Sequence, residues 1–102
     1  EIKVIGPEKF KQEIQKEDVQ FIDIRTPKEY REGHIEGAKN INFLSDDFLK
    51  QFSKLDKEKP VYIYCRSGNR SAKASVQLVD EGFTNIIDLK GGFKAWTVMQ
   101  DE

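Results

Sequence analysis

The chain has 102 residues, with 17 Lys+Arg against 18 Asp+Glu, one His, one Cys and a formal net charge of -1. That length suits one domain over residues 1–102, and 37% hydrophobic residues are enough for a compact core beneath a densely charged surface. The charge balance argues against a dedicated nucleic-acid binder, no apolar run nears the ~20 residues of a membrane span, and one cysteine leaves no internal disulfide.

Short β-branched runs alternate with helix-like periods along the chain. Residues 3–5 read as a brief strand, and Pro7 in a first-turn position with Phe10 and Ile14 four apart predicts an amphipathic helix over 7–16. Residues 19–24 form a second strand, and residues 27–31 a short helix stopped at Gly33. A short strand over 40–42 precedes Ser45, which is expected to cap a helix carrying Phe48, Leu49 and Phe52. Residues 54–59 mix lysines with acids and read as a solvated loop.

The second long strand, Val61–Tyr64, runs directly into the clearest helix. Over residues 69–81, Ala72, Ser75, Val76 and Val79 recur at helical spacing, and Gly82 stands where a left-handed cap belongs. A strand over 85–89 and a helix over 93–99 complete the chain. Regular strand–helix alternation implies right-handed crossovers and a parallel sheet covered by helices on both faces. The class is α/β.

Parallel sheets gather ligands beyond the carboxyl ends of their strands, where a strand meets a helix N-terminus. Here Val61–Tyr64 feeds Cys65-Arg66-Ser67-Gly68-Asn69-Arg70-Ser71. Gly68 permits a tight turn, Asn69 or Ser67 can cap the helix, and the turn's N–H groups form an anion cradle. The helix N-terminus and the cations of Arg66 and Arg70 all favour thiolate over thiol at Cys65. Such surroundings lower a cysteine pKa from ~8.5 into the ~3.5–7.5 range, so a thiolate is expected at neutral pH. A lone strand-end cysteine is by default a small buried hydrophobe. Two arginines and a turn glycine beside it point to a nucleophile instead.

The loop from Cys65 to Ser71 resembles the active-site loop of single-domain rhodanese-like sulfurtransferases. Three further stretches are similar to signatures of that family: Phe21-Ile22-Asp23-Ile24-Arg25-Thr26-Pro27 with Glu29-Tyr30, Gly33-His34-Ile35-Glu36-Gly37-Ala38-Lys39-Asn40-Ile41, and Leu89-Lys90-Gly91-Gly92-Phe93-Lys94-Ala95-Trp96. Together the four span residues 21–96 in the family's order. The resemblance implies a sheet of about five parallel strands flanked by helices. It also implies transfer of a sulfane sulfur from thiosulfate or polysulfide, through a persulfide on Cys65, to a nucleophilic acceptor such as cyanide, a thiol or a protein. Arg66, Ser67, Gly68, Asn69, Arg70 and Ser71 are then the substrate-binding residues, with one of the two arginines meeting the anionic donor.

Asp23 and Arg25, at the end of the second strand, orient this loop or form a structural ion pair, for which Glu29 is a candidate partner. His34 precedes Ile35 in a turn and reads as a structural hydrogen bonder, because a pre-ionised thiolate needs no base. Phe93 and Trp96 read first as core and second as pocket wall. One Cys and one His are too few for a zinc shell, so neither a metal nor a cofactor is expected. Two other readings remain. One is a non-enzymatic sulfur carrier or docking module, and the other is a cysteine-dependent phosphatase or arsenate reductase. The latter enzymes use a longer cradle than the four residues between Cys65 and Arg70, and phosphatases commonly place His where Tyr64 stands. A reduced thiol suits a cytoplasmic protein, or a periplasmic one after loss of a leader, and a monomer is expected over a dimer.

Overall fold

In a computed structural model of the chain, residues 1–101 are described. Ten elements alternate: β1 (Ile2–Ile5), α1 (Pro7–Ile14), β2 (Gln20–Asp23), α2 (Pro27–Glu32), β3 (Lys39–Asn40), α3 (Phe48–Phe52), β4 (Val61–Tyr64), α4 (Asn69–Asp80), β5 (Ile86–Leu89) and α5 (Gly92–Gln100). All four strand pairings are parallel, in the order β1-β5-β4-β2-β3. β4 and β5 lie inside the sheet, and every one of their residues is buried.

Strand alternation sorts the core onto the two faces. Val61, Ile63 and Cys65 point towards α3 and α4 and meet Phe48, Phe52, Ala74 and Leu78. Tyr62 and Tyr64 point the other way, to Phe10 of α1 and Trp96 of α5. Burying each large apolar side chain of this kind stabilises by roughly 1.5–3 kcal/mol relative to leaving it exposed. The α/β sheet with helices on both faces agrees with the sequence expectation.

Several boundaries differ from that expectation. α1 ends at Ile14, and Ser45 does not cap α3. Its hydroxyl donates to the Asp47 carboxylate, and Asp47, without a side-chain cap bond, is the residue that opens the helix. A polar pair two residues apart closes on itself in a turn and delays the helix to Phe48. The short strand begins at Lys39, earlier than residue 40, and stops after Asn40. Its line continues irregularly, Ile41 donating to the Asp23 carbonyl at 3.1 Å and Phe43 to that of Ile24 at 3.0 Å. Among the described residues, no helix is long and apolar enough to cross a membrane.

Candidate active site

Cys65 is the first residue beyond β4, and its side chain is 1% exposed. Gly68, with φ of 110°, turns the chain back sharply before α4 begins at Asn69. L-residues with side chains rarely adopt that backbone, so glycine is what allows so short a return. The turn brings two N–H groups onto the sulfur: Gly68 donates to Sγ at 3.1 Å and Ser71 at 3.3 Å. The thiol in turn donates to the Ser71 hydroxyl at 3.4 Å. Neither Ser67 nor Asn69 caps the helix, contrary to expectation, and no side-chain oxygen does. The sulfur itself accepts the third N–H of α4 and fills the position that a cap oxygen normally takes.

The loop is held from behind by the start of α5. Phe93 N–H donates to the Cys65 carbonyl at 2.8 Å and Lys94 N–H to that of Arg66 at 3.0 Å. Gly92 makes this approach possible. A Cβ there would lie 2.5 Å from the Cys65 carbonyl oxygen, and its φ of 62° is itself unfavourable for a side chain.

Two carboxylate–guanidinium pairs surround the loop. Asp23 and Arg25 meet at 2.8 Å with side chains only 0% and 5% exposed. Arg25 also donates to the Gly33 carbonyl at 2.7 Å, and its guanidinium lies 4.3 Å from the centre of the Phe93 ring. Burial opposes the Arg25 charge, but Asp23 more than offsets it, and the guanidinium's pKa ends above its ordinary value. Tyr64 completes this cluster, its hydroxyl donating to Asp23 at 2.8 Å and accepting Ile35 N–H at 3.0 Å. Burial first, and the Asp23 charge second, push the Tyr64 phenol well above its usual range. The pair expected between Asp23 and Arg25 is thus present, but Glu29 is not its partner.

Glu29 instead takes Arg70 in a two-pronged bond, at 2.8 and 2.9 Å. The Arg70 guanidinium holds the Glu29 carboxyl down at about 2. Glu29 is also the closing residue of a capping box with Thr26 at the start of α2. The loop's two arginines therefore differ: Arg70 is neutralised from α2, whereas Arg66 is exposed and reaches a neighbouring cleft. That cleft, of about 420 Å³, is lined by Arg25, Glu29, Glu32, Gly33, Arg66, Phe93, Lys94 and Thr97. Ser67 and Asn69 are exposed on the loop and Ser71 is buried beneath it. His34 stacks on Tyr30 at 3.7 Å, and its Nδ1 lies 2.9 Å from the Tyr30 carbonyl oxygen, which is a structural arrangement. Trp96 is core and Phe93 is cleft wall.

An amide-lined sulfur between a buried parallel strand and a helix N-terminus suits anionic sulfur chemistry. A family model described as Rhodanese-like domain matches residues 6–99. The chain belongs to the rhodanese-like domain family. Thiosulfate sulfurtransferase GlpE of Coxiella burnetii is 37% identical over 84 residues, which cover 81% of this chain and 76% of that protein. YqhL of Bacillus subtilis is 39% identical over 95 residues, covering 93% and 72%. The crystal structure of a rhodanese-like domain protein from Staphylococcus aureus matches with a TM-score of 0.81 at 32% identity, covering 92% of this chain and 90% of that one.

The fold of this rhodanese-like chain brings Cys65, Gly68, Arg70 and Ser71 together and sets Asp23 with Arg25 beside them. Three contributors escaped sequence reasoning. Glu29 reads as a signature residue and as a candidate partner for Asp23 and Arg25, not as the partner of Arg70, 41 positions away. Tyr64 read as an apolar strand residue, yet its hydroxyl ties Asp23 to Ile35. Asp88 read as part of a strand, yet it is buried beneath α4, with Ser71 as its polar neighbour. An acid in a run otherwise apolar was the available signal for Asp88.

Proposed function

We propose that the protein is a sulfurtransferase that carries a sulfane sulfur on Cys65, with thiosulfate or a polysulfide as donor. The observation that supports this best is the convergence of the Gly68 and Ser71 N–H groups on the Cys65 sulfur at the start of α4. Donors of that kind favour an anionic sulfur and do not need to rearrange as charge shifts during reaction. The ionised sulfur attacks the outer sulfur of thiosulfate, and a new S–S bond forms. The donor's own S–S bond breaks, and sulfite leaves with its electron pair. In the second half-reaction an acceptor such as cyanide bonds to the outer sulfur and Cys65 leaves as thiolate. Two half-reactions through one covalent intermediate give ping-pong kinetics.

Arg66, exposed at the cleft, meets the donor's anionic end, while Arg70 stays with Glu29 and steadies the loop. The loop amides of Arg66, Ser67, Gly68, Asn69 and Arg70 receive the charged outer sulfur. Four residues between Cys65 and Arg70 make a ring that suits one sulfur better than a phosphate or arsenate.

Incubation with thiosulfate followed by mass spectrometry tests this directly. Cys65 is expected to gain one sulfur atom that cyanide removes as thiocyanate, and Cys65→Ser is expected to gain none. Absence of the adduct on an alkylatable Cys65 would overturn the reading. A persulfide that cyanide cannot discharge would identify a carrier rather than an enzyme. Turnover of para-nitrophenyl phosphate that is lost in Cys65→Ser would favour a phosphatase.

A further inference from the structure

Arg25 carries a polar group that its own neighbours leave open. Its side chain is 5% exposed, and Asp23 and the Gly33 carbonyl take the N–H groups of Nε and Nη2. Phe93 covers one face of the guanidinium at 4.3 Å. Among the described residues, Nη1 donates to nothing. The side-chain polar atoms sealed without a partner are Asn85 Oδ1 and Asp88 Oδ1, so Nη1 is not sealed. The opening that Arg25 lines is the cleft between α2 and α5. A guanidinium presents its donors in one rigid plane, so fixing Nε and Nη2 also fixes the direction of Nη1.

The rest of the cleft is unevenly charged. Among the described residues the ion pairs are Lys3–Glu1, Asp23–Arg25 and Glu29–Arg70. Glu29 is thus taken by Arg70, while Arg66, Lys94 and Glu32 reach the cleft unpaired. Two free cations against one free acid leave a single positive charge in excess beside the open donors of Nη1. That balance suits one negative charge better than the two of thiosulfate. The volume, about 420 Å³, is room for a small organic molecule and more than a sulfonate fills. The cleft adjoins the reacting loop, because Lys94 N–H donates to the Arg66 carbonyl at 3.0 Å and Phe93 N–H to that of Cys65 at 2.8 Å.

We propose that this cleft is a carboxylate subsite for the sulfur acceptor, a small thiol that bears a carboxylate, with Arg25 Nη1 as its buried ligand and Arg66 and Lys94 as its rim. The carboxylate accepts from Nη1 in a charge-assisted bond, and a short carbon arm carries the thiol to the persulfide on Cys65. The thiol loses its proton to water and attacks the outer sulfur as thiolate. A new S–S bond forms between acceptor and outer sulfur. The bond from that sulfur to Cys65 breaks, and Cys65 keeps the electron pair as thiolate. The sulfur moves at an unchanged oxidation level, so no outside oxidant or reductant takes part. Sulfite leaves before the acceptor arrives, so Arg66 serves the donor in one half-reaction and the acceptor in the other. This inference rests on the sulfurtransferase reading, but one of its tests does not require sulfur transfer.

The persulfide form is offered mercaptopropionate or mercaptopropanol, thiols of one chain length that differ in the carboxylate, and the ratio of their kcat/KM values is read. Wild type is expected to prefer the carboxylate by about tenfold, the scale of one hydrogen bond to a charged group. Lys94→Gln should lower that ratio about threefold, Glu32→Gln raise it about threefold, and Lys94→Glu lower it about tenfold. A ratio that stays fixed across these variants, or parallel loss of both acceptors, would overturn the proposal. Slower loading from thiosulfate in Lys94→Glu, with the acceptor ratio unmoved, would give the cleft to the donor's sulfonate and overturn it as well. The second test uses propionate alone, at constant ionic strength, and follows the guanidinium NMR signals of Arg25. They are expected to shift saturably in wild type and to need about threefold more propionate in Lys94→Gln. Arg25 signals that stay still would overturn the subsite. A saturable shift in a protein whose Cys65 never gains sulfur would keep the anion subsite and remove the sulfurtransferase reading. Sulfur transfer beside still Arg25 signals and a flat ratio would do the reverse.

Discussion

The Asp23–Arg25 and Glu29–Arg70 pairs use the same two functional groups at the same end of the sheet, yet they do different work. The first is sealed, with side chains 0% and 5% exposed, and its members are two residues apart in the chain. The second is about a quarter exposed on each side and joins residues 41 positions apart. A sealed pair is a commitment of the core, because losing one partner strands the other charge in a medium that cannot solvate it. A half-exposed pair contributes little stability, because water solvates whichever charge is left. What it contributes is placement: Glu29 fixes Arg70, and Arg70 belongs to the loop that holds Cys65. Depth decides the energy of an ion pair, and connectivity decides its use.

Asp23→Ala should show the largest effect. It leaves Arg25 buried without its counter-charge and Tyr64 without its acceptor, and a loss of about 3–5 kcal/mol in denaturant unfolding is expected. An equal loss from Glu29→Ala would erase the contrast between the pairs. Gly92→Ala probes the loop's other anchor. Its Cβ would meet the Cys65 carbonyl oxygen at 2.5 Å, so roughly 2–3 kcal/mol of stability and most of the thiosulfate–cyanide turnover should be lost. Retention of full turnover would show that Arg70 alone sets the loop. Thr26→Ala removes the capping box that orients α2 and Glu29, and about 1 kcal/mol should be missing from the thermal unfolding free energy.

Glu29→Gln should show the smallest effect, about 0.5–1 kcal/mol at neutral pH. Its sign is set by the depressed Glu29 value. The folded carboxyl, held to about 2, loses its proton more readily than the unfolded one at ~4.3, so the pair stabilises above the unfolded value. That contribution fades as pH falls from about 4.5 through 2, and wild type and variant should converge there. Stability curves that stay parallel down to about pH 2 would mean that Arg70 does not depend on Glu29 in the folded state.

The sequence alone determined what depends on near neighbours. Alternating β-branched runs and helical periods specify the α/β class, and the strand Val61–Tyr64 was read with its observed limits. Gly68 after a buried strand announced a sharp return onto a helix N-terminus with Cys65 at its base. Asp23 and Arg25 suggested their own pairing, because a strand end can fold one side chain onto the other two residues away. Ser45 misled for the same local reason, since a hydroxyl that can cap a helix can equally close a turn on Asp47. Only the tertiary structure decided the rest. Bringing Glu29 to Arg70, α5 against the Cys65 carbonyl, and Asp88 onto the face of Cys65 depends on strand register and helix packing. Register is settled by apolar surfaces far apart in the chain, and moving β5 by one residue would turn Asp88 to the opposite face. The near-neutral charge total concealed this as well: Cys65 to Ser71 holds two arginines, but the acid that answers one of them arrives from α2.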